Sequence, residues 1–83
     1  MDKRRKIERV QTGVRLEKRI VKVLKGLAEH CDLTLADLIE GIMLHTFEGS
    51  SPFSGETLSI IADLKRIYGL DLTQEDAHRF SEA

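Results

Sequence analysis

The chain has 83 residues, a single cysteine and a net charge of −1. Its length excludes a multidomain protein, and the single cysteine excludes an internal disulfide framework. A membrane span is excluded because no apolar run is long enough to cross a bilayer. A chain of this length buries only about 60–65% of its unfolded surface, so we expect association with another copy to stabilise it. The single thiol and the lack of a signal-peptide pattern indicate a cytoplasmic protein.

The small net charge conceals an uneven distribution along the chain. Residues 1–25 contain ten basic and three acidic residues, whereas residues 26–83 contain three basic and eleven acidic residues. This split favours a polyanionic partner at one end of the molecule, and a merely solvated charged face is the alternative. Residues 1–8 are predicted to form a flexible basic arm. Its basic residues are Lys3, Arg4, Arg5 and Lys6.

Residues 9–16 alternate between apolar and polar side chains, which is the period-two pattern of a half-buried strand. The chain contains no second strand pattern, so the backbone N–H and C=O groups of this strand would lack partners. Pairing with the same strand of a second copy would satisfy them and would form an antiparallel ribbon on a twofold axis. The apolar face of this ribbon would carry Val10, Val14 and Leu16, and the polar face Arg9, Gln11, Gly13 and Arg15.

Two amphipathic helices are predicted directly after the strand. The first spans about residues 17–30, where apolar residues recur every three or four positions. The second has Thr34 as its predicted N-cap and ends near Gly49, which can adopt the left-handed conformation of a helix stop. Apolar residues cover a wide part of the second helix, so we expect it to be central. The predicted dimer core comprises Val10, Val14, Leu16, Leu24, Leu27, Leu38, Ile39 and Ile42.

The C-terminal part, residues 50–83, is predicted to form a helical extension. A loop rich in Ser, Pro and Gly leads into a third helix over about residues 55–68, and a capping signal at Thr73 predicts a short helix over residues 74–80. These helices either pack on the dimer core or provide a surface within residues 53–80 for tetramerisation or a protein partner such as a toxin. The residues of the third helix predicted to face inward are Leu58, Ile61, Leu64, Ile67 and Tyr68.

A strand is followed by a helix and then by a capped helix in this chain. The strand ends with VRL at residues 14–16, and the second helix opens with LTLADLI at residues 33–39. This order resembles the ribbon-helix-helix family of Arc- and MetJ-type DNA-binding proteins over about residues 10–49. The resemblance implies a mainly α-helical, intertwined homodimer with one N-terminal strand per chain and a ribbon-helix-helix domain over residues 9–49. It also implies a transcriptional regulator, such as a repressor, whose ribbon enters the major groove of double-stranded DNA. By position, the base-reading residues are Gln11, Gly13 and Arg15.

A second group of residues is expected to contact the DNA backbone. The resemblance implies that N–H groups opening the second helix bind a phosphate, and a helix N-terminus favours an anion. These N–H groups belong to Thr34, Leu35 and Ala36. Side-chain chemistry independently supports base reading, because Arg15 can bond guanine and Gln11 can bond adenine through paired hydrogen bonds. Salt-dependent contacts to phosphates are expected from Lys3, Arg4, Arg5, Lys6 and Arg9.

No catalytic or metal-binding constellation is recognisable, so neither enzymatic activity nor a cofactor is expected. Cys31 is predicted to be a small core residue, and its neighbour His30 points in a different direction on a helix, which disfavours a shared metal ion. Two alternatives stay open: an antitoxin that binds both DNA and a toxin, and a dimeric interaction module that does not bind DNA. The second is favoured by Gly13, which has no side chain to read a base, and by Glu17, which adds a negative charge near the DNA-facing side.

Overall fold

Three α-helices dominate the computed structural model, which describes residues 4–82. They are α1 (Lys18–His30), α2 (Leu35–Phe47) and α3 (Gly55–Tyr68), followed by a single 3-10 turn at Gln74–Asp76. The prediction of a mainly α-helical protein is therefore confirmed. Within the described range, residues 9–16 form no strand in the single chain, so their pairing with a second copy stays a prediction. Lys3 of the basic arm lies outside the described residues.

Local hydrogen bonds explain where the helices begin and end. Thr34 caps α2, because its side chain accepts a hydrogen bond from the Asp37 N–H at 3.1 Å, and Ser54 caps α3 in the same way. Gly49 and Gly69 both have positive φ, the conformation in which glycine ends a helix without steric cost. The predicted bounds of all three helices are confirmed to within one or two residues, because these signals act over only a few residues.

The core forms where α1 lies between α2 and α3 and packs against both. Leu27 of α1 is 2% exposed, and Leu38 of α2 is also buried. Phe53 packs against this centre from the loop before α3, so the loop is anchored to the core. The remaining residues around the centre are Leu24, Ala28, Ile42, Ile60, Ile61 and Leu64. Four members of the predicted dimer core, Leu24, Leu27, Leu38 and Ile42, thus belong to the core of one chain.

A glycine inside α1 allows α1 and α3 to approach closely. A Cβ atom added at Gly26 would lie 3.0 Å from Leu64 Cδ2 and 3.6 Å from Tyr68 Cε2. Glycine costs a helix about 1 kcal/mol relative to alanine. The closer packing of α3 on α1 offsets that cost, and this explains why a glycine occupies position 26 inside α1.

The structure corrects two predictions about the C-terminal part. Leu58 and Ile67 were predicted to face inward but are exposed, because α3 packs mainly on α1 and these two residues lie on either side of the covered strip. Tyr68, which was also predicted to face inward, is 37% exposed at the end of the helix. The predicted helix over residues 74–80 is only the 3-10 turn, since the backbone becomes extended at Ala77 and has positive φ at His78. A helix of only a few residues forms few hydrogen bonds, and these do not offset the conformational entropy lost when its backbone is ordered.

Cys31 also differs from its prediction as a core residue, because it is exposed. The helix ends at His30, so Cys31 is its C-cap and lies beyond the last residues of α1 that contact the core. Asp32 follows with a φ of 59°, and the Leu33 N–H donates to the Ala28 carbonyl at 2.9 Å. This left-handed residue turns the chain from α1 into α2 and directs Cys31 away from the core.

A matched pair of glycine variants tests the close packing of α1 and α3. Gly41→Ala in α2 should raise the free energy of unfolding by about 1 kcal/mol, because alanine favours a helix and a Cβ there meets no atom within 4 Å. Gly26→Ala should gain clearly less, because Leu64 must move. Urea unfolding of both variants measures the difference. Equal gains would contradict the packing described for Gly26.

Candidate nucleic-acid interface

The segment before α1 lies on the surface along its whole described length. Residues 4–16 are all exposed, and residues 5–16 form no backbone hydrogen bond with the helices. Val10 is 83% exposed and Val14 is 72% exposed, and Leu16 is exposed as well. The apolar row predicted to lie inside a paired ribbon therefore has no cover within the single chain.

The predicted base-reading residues lie in the same segment and remain accessible. The side chains of Gln11 and Arg15 are exposed and form no hydrogen bond or ion pair with any residue of the described range 4–82. A Cβ added at Gly13 would meet nothing within 4 Å. The hydrogen-bonding groups of both side chains are therefore available to a ligand, with an open gap at Gly13 between them.

Arg9 occupies a different environment from the other polar residues of the segment. Its Nε donates to Glu40 Oε2 at 3.3 Å and its Nη2 donates to Glu40 Oε1 at 2.9 Å. Nη2 also lies 3.7 Å from Asp37 Oδ1. The predicted phosphate contact is thus paired with two carboxylates of α2 in the free chain. Sequence reasoning missed this contact, because Arg9 and Glu40 lie 31 positions apart.

The start of α2 offers backbone donors close to Arg9. Thr34 accepts from the Asp37 N–H through its side chain, whereas the N–H groups of Leu35 and Ala36 have no acceptor among residues 4–82. Such free N–H groups at a helix N-terminus favour an anion. The contact between Arg9 and Asp37 places the guanidinium beside the first turn of this helix. The structure therefore brings together two predicted phosphate-contacting features that are distant in sequence.

Glu17, the acidic residue near the proposed DNA-facing side, is paired within the chain. Its side chain caps α1 by accepting from the Arg19 N–H at 2.7 Å and from Arg19 Nε at 2.6 Å. Arg19 Nη1 also donates to the Gly69 carbonyl and to Asp71 Oδ1, each at 3.0 Å. The hydrogen bond from Arg19 lowers the pKa of Glu17 below its ordinary value of 4.5. Arg19 thus balances the charge of Glu17 and ties the start of α1 to the chain after α3.

This network was not foreseen from the sequence. Glutamate is not among the preferred N-cap residues, so Glu17 gave no capping signal, and Asp71 lies 52 positions from Arg19. The opposite charges of Glu17 and Arg19, two positions apart in the sequence, were the one local signal for this network. The other described basic residues of the arm are exposed: Arg4, Arg5 and Lys6.

A second apolar surface lies on α2, on the side away from the core. Met43, Leu44 and Phe47 are exposed, Phe47 to 79%, and Ile39 is half-buried. Residues 38 and 42 of the same helix face the core, so the wide apolar stripe predicted for α2 is only partly covered by its own chain. The uncovered part adds to the exposed apolar row of the N-terminal segment.

Other kinds of site receive no support from the described residues. Residues 4–82 contain no group of three His, Cys, Asp or Glu side chains that could hold a metal ion. The longest described helix has 14 residues, whereas spanning a bilayer takes about 20 apolar residues, so none of the described helices can cross a membrane. Comparison of the chain with family models, with curated proteins and with solved structures finds no match.

The Glu17–Arg19 pair predicts a pH-dependent contribution to stability. Because the pKa of Glu17 is lowered in the folded chain, its contribution is present above the unfolded pKa and is lost as the pH falls through the folded pKa. Glu17→Gln should therefore be less stable than wild type near neutral pH, and the difference should shrink in acid. Urea unfolding from about pH 7 to about pH 3 measures it.

Arg19→Gln is the control, because it removes the partner that lowers the pKa of Glu17. In that background, the loss of stability caused by Glu17→Gln should be smaller and less dependent on pH, because only the backbone hydrogen bonds of the cap remain. A difference between wild type and Glu17→Gln that stays constant from neutral to acidic pH would contradict the pairing.

Proposed function

We propose that the protein is a homodimeric ribbon-helix-helix protein that binds double-stranded DNA and acts as a transcriptional regulator. One observation carries this proposal: residues 9–16 expose an uncovered apolar row together with the side chains of Gln11 and Arg15, which have no partner among residues 4–82. A paired ribbon uses both, since one face packs on the helices and the other enters the major groove. Neither a catalytic constellation nor a cofactor is part of the proposal.

The homodimer is supported by the apolar surface that a single chain leaves in water. Complete burial of an aliphatic side chain contributes about 1.5–3 kcal/mol, and Val10, Val14 and Leu16 all remain exposed. Large apolar residues of α2, including Phe47, are exposed too. A second copy would provide a strand for the unpaired backbone of residues 9–16 and a complementary apolar surface for α2.

DNA binding is supported by the chemistry of the polar row and of the start of α2. Gln11 and Arg15 have free donor groups suited to base edges. The N–H groups of Leu35 and Ala36 are free to bind a phosphate. Glu17 is paired with Arg19, which weakens the repulsion between its carboxylate and the nucleic acid. Two copies would present these groups twice, in a twofold arrangement that suits a symmetric DNA site.

The antitoxin alternative has weaker support from the C-terminal part. Ile61 and Leu64 pack against the core of their own chain, whereas Leu58, Ile67 and Tyr68 are exposed. Leu58 lies near the start of α3 and the other two residues lie at its end, so the three do not form one continuous patch. The interaction module without DNA binding retains Gly13 as the feature in its favour.

Two matched substitutions test the dimer. Val14→Asp should convert a dimer into a monomer, because it places a charge in the apolar face of the proposed ribbon. Ile67→Asp is the control, since Ile67 is 66% exposed and Val14 is 72% exposed in the single chain, but Ile67 lies outside the ribbon. Light scattering at micromolar concentration gives the mass. A monomeric wild type, or equal effects of the two variants, would contradict the proposed dimer.

A second pair of substitutions tests DNA binding. Wild type should bind duplex DNA of random sequence, and its affinity should fall by a factor of about a thousand or more between about 50 mM and about 200 mM salt. Arg15→Ala should weaken binding at least about fivefold, because a guanidinium that reaches a base edge or a phosphate is lost. Arg66→Ala removes the same charge from α3 and should change the affinity little. No binding at low salt would refute the proposed function.

A further inference from the structure

We propose that Asp37 and Glu40 of α2 compete with DNA for Arg9, so that the free protein holds one of its phosphate-contacting residues in an autoinhibitory ion pair. This inference rests on the proposed DNA-binding function and concerns how strongly the interface binds. It assigns to two acidic residues of α2 a regulatory role that neither the sequence pattern nor the resemblance implies.

The geometry resembles the recognition of a phosphate by arginine. Two nitrogens of the Arg9 guanidinium donate to the two oxygens of one carboxylate, at 2.9 and 3.3 Å. A guanidinium forms the same forked arrangement with two oxygens of a phosphate. Asp37 Oδ1, 3.7 Å from Nη2, adds a second negative charge. Glu40 therefore occupies the donors that a DNA phosphate would use.

The pair is placed so that it can open without unfolding the protein. The side chains of Arg9, Asp37 and Glu40 are each about half exposed, and ion pairs in contact with water are weak and are screened by salt. Residues 5–16 form no backbone hydrogen bond with the helices, so Arg9 can move without breaking secondary structure. Exchange of the carboxylate for a phosphate is therefore a local event.

The location connects the ion pair to the remainder of the proposed interface. Asp37 lies in the first turn of α2, directly after the free N–H groups of Leu35 and Ala36. A phosphate bound to those N–H groups would approach the carboxylate of Asp37, and Arg9 is the basic residue of the described range 4–82 that forms an ion pair with Asp37. When Arg9 moves to the phosphate, Asp37 and Glu40 are left unpaired near DNA. Both effects reduce the net affinity of the wild-type protein.

The test compares Glu40→Gln with the control Glu48→Gln. The control removes the same charge from the other end of α2, and the Glu48 side chain forms no ion pair within residues 4–82. Glu40→Gln should tighten binding to random-sequence duplex DNA by about twofold to thirtyfold for a dimer, the range expected for two exposed ion pairs. It should also steepen the dependence on salt by up to about 2 in the log–log slope. Glu48→Gln should change both quantities little.

The double variant Arg9→Ala/Glu40→Gln identifies the source of the gain. If Glu40 acts by holding Arg9, this variant should bind no more tightly than Arg9→Ala alone. A gain of equal size in the Arg9→Ala background, or equal gains from Glu40→Gln and Glu48→Gln, would overturn the inference and would indicate a general effect of charge. Both outcomes leave wild-type DNA binding intact, so the proposed function would survive them.

Nuclear magnetic resonance of the DNA-free protein examines the ion pair itself. The Nε–H resonance of Arg9 should shift in Glu40→Gln and stay in place in Glu48→Gln. An unshifted resonance would overturn the inference whatever the binding data show. A shifted resonance in a protein that binds no duplex DNA at low salt would refute the proposed function, and the competition with it.

Discussion

The packing of α1 against both α2 and α3 is the contact on which the structure of the single chain depends. Leu27 lies at its centre, 2% exposed, with Leu38 of α2 beside it and Leu64 of α3 packed around it. Both outer helices have their closest backbone contacts with α1, so α1 contributes most to fixing their relative positions. Gly26 brings α3 close to α1, and this packing occupies most of the apolar side of α3. α3 therefore stabilises the position of α1, and because α1 also packs against α2, it helps to hold the start of α2 in place.

Ion pairs extend this arrangement to both ends of the helical core. Arg19 joins the Glu17 cap of α1 to Asp71 after α3, and Arg9 joins the N-terminal segment to Glu40 of α2. Both are exposed enough to be screened by salt, so they orient segments rather than stabilise the fold strongly. Arg19 also pairs with Glu17 on the side that is proposed to face DNA. The charges available to a ligand therefore depend on these ion pairs as well as on the number of basic residues.

The proposed function depends on the N-terminal segment, residues 9–16. A single chain leaves Val10 and Val14 in water, while Gln11 and Arg15, on the alternate positions, have no partner in the described part of the chain. A segment with this alternation gains from a second copy on one side and from a polyanion on the other. In the proposed function both gains arise from one ribbon, and the ion pair of Arg9 sets how readily that ribbon engages DNA.

The sequence by itself determined the mainly helical fold and the bounds of α1, α2 and α3, because caps such as Thr34, Ser54 and Gly69 act through hydrogen bonds within a few residues. It also identified the candidate DNA-facing residues by their alternation, although their pairing in a ribbon stays a prediction. Only the tertiary structure decided which side of α3 is buried, that the segment after Thr73 forms a single turn, and that Arg9 pairs with Glu40. These features depend on contacts between residues far apart in the chain, and local patterns carry no information about such contacts.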